Sequence, residues 1–243
     1  MSRRFISLII TVMLLMITGT PRVFAGEVDH NREVSPSDSD VEIVDSIKEN
    51  GRIDNHDLTA HKLSSDELKN AITVDKELNL TNVNAYRIER KYGGYNTVTV
   101  VAEMDTPTYR GNGYVEDDKD GRVAISAFLR YDTRTFKSYK CGKGVKYGGR
   151  VLYKQSAASV TKLQGKYNES GAAYTSSGSS TMANYTNNAN FSTSNLYGSK
   201  SKTINRSLYV CLENGTGFLR SSFTATYKLS GKTYNITVSV NAS

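Results

Sequence analysis

Hydrophobic positions along this 243-residue chain follow three different patterns. The first is a mainly apolar run from Phe5 to Ile17 (FISLIITVMLLMI), preceded by Arg3 and Arg4 and followed by Val23-Phe24-Ala25 ahead of Gly26. A basic start, an apolar core shorter than the roughly 20 residues of a membrane span, and a small-x-small boundary predict a secretory signal peptide over residues 1–25. From Gly26 to Ser39 the chain is polar and lacks aromatics, a composition that predicts disorder. Val41, Val44 and Ile47, ended by Gly51, then suit a short amphipathic helix. Ser64 or Ser65 ahead of Asp66-Glu67-Leu68 suits a second, capped one.

From about Asn84 the period shortens to two. Strands are predicted at Asn96 to Glu103, Arg122 to Arg130, Arg150 to Gln155, Ser207 to Leu212, Gly217 to Leu229 and Thr233 to Asn241. Turns are predicted at Tyr92-Gly93-Gly94-Tyr95, Asp120-Gly121, Gly148-Gly149, Asn214-Gly215 and Ser230-Gly231. The fold class is therefore all-β, an antiparallel β-sandwich or partly open barrel preceded by a disordered or weakly helical leader. One stretch leaves its structure open. From Ser170 to Ser194 only Tyr174, Met182, Tyr185 and Phe191 are bulky. A surface hairpin or loop fits this stretch better than a membrane-inserting stem, because apolar and polar residues do not alternate cleanly along it.

Charge divides the chain at the same boundary as the pattern. Residues 26–80 carry 14 acidic against 6 basic side chains, a net of −8, whereas residues 81–243 carry 22 basic against 10 acidic, a net of +12. Three regions follow: a signal peptide (1–25), an acidic leader (26–80) and a basic, tyrosine-rich β-domain (81–243). All 16 tyrosines lie from Tyr86 onward, and tryptophan is absent. A basic body outside the cell meets anionic wall polymer, glycan or membrane surface rather than nucleic acid. The acidic leader could mask that body until removed, or serve only as a spacer.

Histidine placement narrows the chemistry. His30, His56 and His61 all fall in the leader, so the β-domain can hold neither a Ser-His-Asp nor a Cys-His arrangement, nor a histidine-ligated zinc. No metal, cofactor or catalytic residue is expected. Asn50-Gly51-Arg52-Ile53-Asp54-Asn55-His56-Asp57-Leu58-Thr59 resembles the later half of a dockerin-type EF-hand loop. The first and third ligand positions are Ser46 and Lys48, however, so calcium is not expected there. Glu116 to Gly121 reads as a polar hairpin turn. Glu103, Asp105, Asp132, Glu169 and Glu213 are the carboxylates from which folding could assemble an acid/base pair, the basis of an alternative reading as a hydrolase.

Cys141 and Cys211 in an exported chain predict a disulfide. Tyr209-Val210-Cys211 weakly resembles the tyrosine-before-cysteine spacing of immunoglobulin-like domains, which implies a bridge between two sheets. The strongest functional signal is the interleaving of cations and tyrosines from Arg130 to Lys166. Arg134, Lys137, Lys140, Lys143, Lys146 and Arg150, with Tyr139, Tyr147 and Tyr153, make a candidate face for an anionic polymer or glycan. The competing arrangement turns the tyrosines inward and the lysines to water. These observations predict a secreted, non-catalytic binding protein. A secreted antimicrobial or pore-forming toxin is the alternative, and the oligomeric state is not set by the sequence.

Overall fold

A computed structural model of the chain describes residues 39–74, 82–105, 123–212 and 217–242. The expected signal peptide, the polar stretch up to residue 38, the Glu116–Gly121 turn and the Asn214-Gly215 turn lie outside the described residues. Two helices come first: α1 (Asp40–Asn50) and α2 (Ser65–Ala71). Each begins with a capping box. Ser39 accepts from the Glu42 N–H while Glu42 reaches back to the Ser39 N–H, and Ser64 and Glu67 repeat the exchange.

Around and after the helices run thirteen described strands. These are β1 (Arg52–Asp54), β2 (Leu58–Lys62), β3 (Ile72–Val74), β4 (Val83–Tyr92), β5 (Tyr95–Met104), β6 (Val123–Phe136) and β7 (Tyr139–Lys154), then β8 (Ser159–Tyr174), β9 (Ser180–Thr193), β10 (Lys200–Thr203), β11 (Tyr209–Cys211), β12 (Phe218–Leu229) and β13 (Lys232–Asn241). All pair antiparallel in one sheet of order β1-β2-β4-β5-β6-β7-β11-β8-β12-β13-β3, with β10 added to β7 and β9 to β8.

This sheet doubles over so that β12 and β13 pack across β5, β6 and β7. Inward-facing Val98, Val100, Leu129, Tyr131, Leu219, Phe223, Val238 and Val240 fill the space between the layers. The all-β, sandwich-like architecture expected from the strand spacing is present. Segment 40–74, set apart by its charge, belongs to the same sheet: β1 and β2 begin the path and β3 ends it. α1 covers the outer face of the first layer, packing Ile43, Val44 and Ile47 on Leu58, Ala60, Tyr86 and Ile88.

Two expectations need correction. Gly148-Gly149 is not a turn but part of the interior of the 16-residue β7. There Gly149 lies under Phe223, whose Cγ would stand 2.5 Å from an added Cβ, and Gly148 lies against the backbone of Lys200 on β10. These glycines permit close packing rather than reversal.

The expected disulfide is also absent, since Cys141 and Cys211 are both buried thiols. They stand opposite one another on adjacent strands β7 and β11. The Leu212 N–H donates to the Lys140 carbonyl at 2.9 Å, which leaves the cysteines at a non-hydrogen-bonded position. Both sit in a small cluster with Tyr209, Phe136 and Tyr174. The expectation rested on compartment and on the immunoglobulin-like spacing, neither of which fixes the sulfur–sulfur geometry. It also presumed a bridge between layers, whereas these thiols lie side by side within one ladder.

Candidate functional site

The candidate site is the outer face of β5, β6 and β7, and strand register builds it. Directly opposed residues share a face, so the pairs Ser126–Arg150, Phe128–Gly148, Arg130–Lys146, Asp132–Lys143 and Arg134–Cys141 place their side chains together on one side of the sheet. The intervening Leu129 and Tyr131 point into the core. Bulges in the β6–β7 pairing after Ala124 and after Arg130 keep the cations of the longer strand on this face.

Leader helix α1 forms one wall. Asp40, in its first turn, reaches Arg90 Nη1 at 2.7 Å and Arg130 Nη2 at 2.5 Å. Lys48, in its last turn, reaches Glu103 at 2.8 Å, and Glu103 also takes Arg150 at 3.3 Å. An acid at the helix start and a base at its end each suit the helix dipole. Burial pulls the Lys48 ammonium down, but its hydrogen bond to Glu103 and the charges of Glu103 and Asp45 outweigh that and hold its pKa above the usual lysine value. Burial raises the phenol of Tyr86, whose ring lies 5.8 Å below Lys48.

Between the helix and the sheet opens a cleft of about 190 Å³. Val44, Val101 and Phe128 give it an apolar lining, and Arg130, Lys146 and Arg150 a cationic side. Among the described residues the Lys146 ammonium has no hydrogen-bond or ion-pair partner. Farther along the face Lys143 pairs with Asp132 at 3.2 Å. Its ammonium also lies 5.1 Å above the Tyr209 ring. The Arg134 guanidinium lies 5.5 Å from Tyr209 and 5.7 Å from Tyr95.

The residues singled out from sequence thus separate. Arg134, Lys143, Lys146 and Arg150 share the outer face. Lys137 stands in the β6–β7 turn, with φ 48, and exposed Tyr139 follows it. Lys140 is half-buried at the start of β7. Tyr147 points inward, fully buried against Tyr167 and Phe191. Tyr153 is half-buried against the core. Tyrosines 147 and 153 therefore support the sandwich from within, and the aromatic partners of the outer cations are Tyr209 and Tyr95.

Arg130, Tyr95, Phe128 and Glu103 were not singled out as ligand-facing. The period-two spacing of Arg130, Asp132 and Arg134 was a signal for the first of them. Nothing local marks Tyr95 or Phe128, because only strand register brings them to the face.

Asp40 and Glu103 are two carboxylates in one concave site, but each is already straddled by two cations. Among the described residues no group of three or more His, Cys, Asp or Glu side chains is placed to hold a metal ion.

A second polar cluster lies inside the sandwich. Glu169, with its side chain wholly buried, accepts from Tyr167 at 2.5 Å, Tyr185 at 2.9 Å and Asn187 at 3.0 Å, and Arg206 Nε lies 4.0 Å away. These partners satisfy a charge that would otherwise be costly to bury. Comparison with protein-family models, curated proteins and solved structures finds no match.

Proposed function

We propose that this is a secreted, non-catalytic binding protein whose outer β5–β6–β7 face holds an anionic polymer or glycan of an envelope or extracellular surface. The carrying observation is the row Arg130, Arg134, Lys143, Lys146 and Arg150 on one face of two paired strands. Arg134 and Lys143 are held over aromatic rings, which reduces the side-chain freedom an ordered polymer contact must freeze. The carboxylates of the face serve as ion-pair acceptors, an arrangement suited to positioning cations and ill suited to acid/base hydrolysis.

The test is retention of the full chain on dextran-sulfate beads. Wild type should bind at low salt and elute as exposed charges are screened, the Debye length being about 10 Å at 0.1 M. A variant combining R134Q, K143Q, K146Q and R150Q should lose retention. A variant combining K162Q, K166Q, K228Q and K232Q removes four exposed lysines from elsewhere on the molecule and should keep it. Equal loss in both variants would reduce the effect to net charge and overturn the assignment of a face.

One observation favours a second reading, membrane insertion by the β8–β9 hairpin. Leu163, Gly165, Tyr167, Gly171 and Ala173 share an inner face with Tyr185, Ala189 and Phe191. Gln164, Lys166, Asn168 and Ser170 share the other with Thr186, Asn188, Asn190 and Ser192. Such alternation is what a membrane hairpin needs, though Glu169 and Asn187 interrupt its apolar side. Dye release from phosphatidylglycerol vesicles by the full chain would favour this reading. Vesicles that stay sealed while dextran sulfate is bound would remove it.

A further inference from the structure

We propose that the cleft beneath α1 binds a small amphiphilic anion, a phosphate or carboxylate joined to a short hydrocarbon body. The inference deepens the reading of the outer face, since Lys146 and Arg150 belong to both, but it assigns a discrete pocket where that reading assigns a surface.

Three features set the ligand class. The lining is apolar where α1 faces the sheet: Val44 on one side, Val101 and Phe128 on the other. At about 190 Å³ it admits a chain of several carbons rather than a polymer. The charges do not cancel. Five cations, Lys48, Arg90, Arg130, Lys146 and Arg150, stand against three carboxylates, Asp40, Asp45 and Glu103. Asp40 and Glu103 engage four of these, and Lys146 remains to receive an anion in a site with low-dielectric walls. A neutral ligand would leave that charge unanswered, and inorganic phosphate would leave the apolar lining wet.

The experiment titrates the full chain with octyl phosphate by calorimetry and by amide NMR. Octyl phosphate should saturate at one equivalent and bind at least about tenfold more tightly than inorganic phosphate, with octanol giving no saturation. Amide shifts should centre on Val101, Ser126, Phe128 and Lys146. Lys146→Gln should weaken binding about tenfold. Val41→Asp, an exposed helix position at the cleft mouth, should do so as well without touching the core.

Arg134→Gln with Lys143→Gln lies outside the cleft and should leave octyl phosphate binding unchanged. Saturable octyl phosphate binding by a chain that ignores dextran sulfate would sink the polymer face and leave the cleft standing. Dextran-sulfate retention with no saturable octyl phosphate binding, or with amide shifts elsewhere, overturns the cleft alone. Binding to phosphatidic acid vesicles but not to free octyl phosphate also overturns it, by placing the recognised headgroup in a bilayer.

Discussion

Gly144 shows how one missing side chain fixes a neighbour. A Cβ at this position would lie 2.6 Å from Tyr167 Cζ and 2.9 Å from Ile204 Cδ1. Tyr167 has no room to retreat, because its hydroxyl is tied to Glu169 and its ring is buried against Tyr147. Gly144→Ala should therefore cost about 2–3 kcal/mol, read as a lower urea midpoint at unchanged slope. Similar logic governs pH. Burial first, and then the Glu169 carboxylate, raises the phenol of Tyr167, while burial and the hydrogen bond to Glu169 raise Tyr185. Unfolded tyrosines ionise near pH 10, so the folded state keeps protons that the unfolded chain has lost. The resulting stability is fully present below about pH 10 and is lost as pH rises beyond it. Lys48, also raised, adds in the same direction. Urea midpoints should fall between pH 9 and 11.5, and Tyr185→Phe should flatten that fall.

At the scale of elements, legibility followed side-chain size. β12 and β13 alternate inward and outward residues, the inward ones mostly large, such as Leu219, Phe223, Tyr227 and Leu229 on β12 and Ile236, Val238 and Val240 on β13, and their bounds were readable almost to the residue. The capped α2 was equally plain, since Ser64 and Glu67 state the start of the helix locally. β7 and β8 were obscure for a physical reason. Their inward positions include Gly149, Gly165 and Ala173, small because the rings of Phe223 and Phe191 lie over the two glycines. A period-two pattern carried by glycine and alanine looks like a loop until the opposing ring is known. The site was half legible for the same reason. Arg134, Lys143, Lys146 and Arg150 were found from spacing along single strands. The cleft needed α1 folded over Val101 and Phe128, a juxtaposition of separate segments that no local pattern encodes.

For the whole molecule, charge and topology pull against each other. A chain of net charge +7 folds an acidic helix onto the cationic outer face of its sheet, where Asp40 answers Arg90 and Arg130. Stripping residues 40–74 would remove not only this compensation but both terminal strands of the sheet path, uncovering the edges of β4 and β13. That arrangement is hard to reconcile with a leader that serves merely as a removable cover.

The position of β3 also dictates an order in time. Ile72, Thr73 and Val74 pair with Val240, Ser239 and Val238, so the earlier segment waits for one made much later in synthesis before their ladder exists. Closing so long a loop is entropically expensive and belongs late in folding, on a timescale of milliseconds to seconds. In refolding followed by pulsed hydrogen exchange, amides of the β12–β13 hairpin should gain protection first and those pairing β3 with β13 last. Simultaneous protection of both would mean that these distant segments meet before the sandwich between them is built.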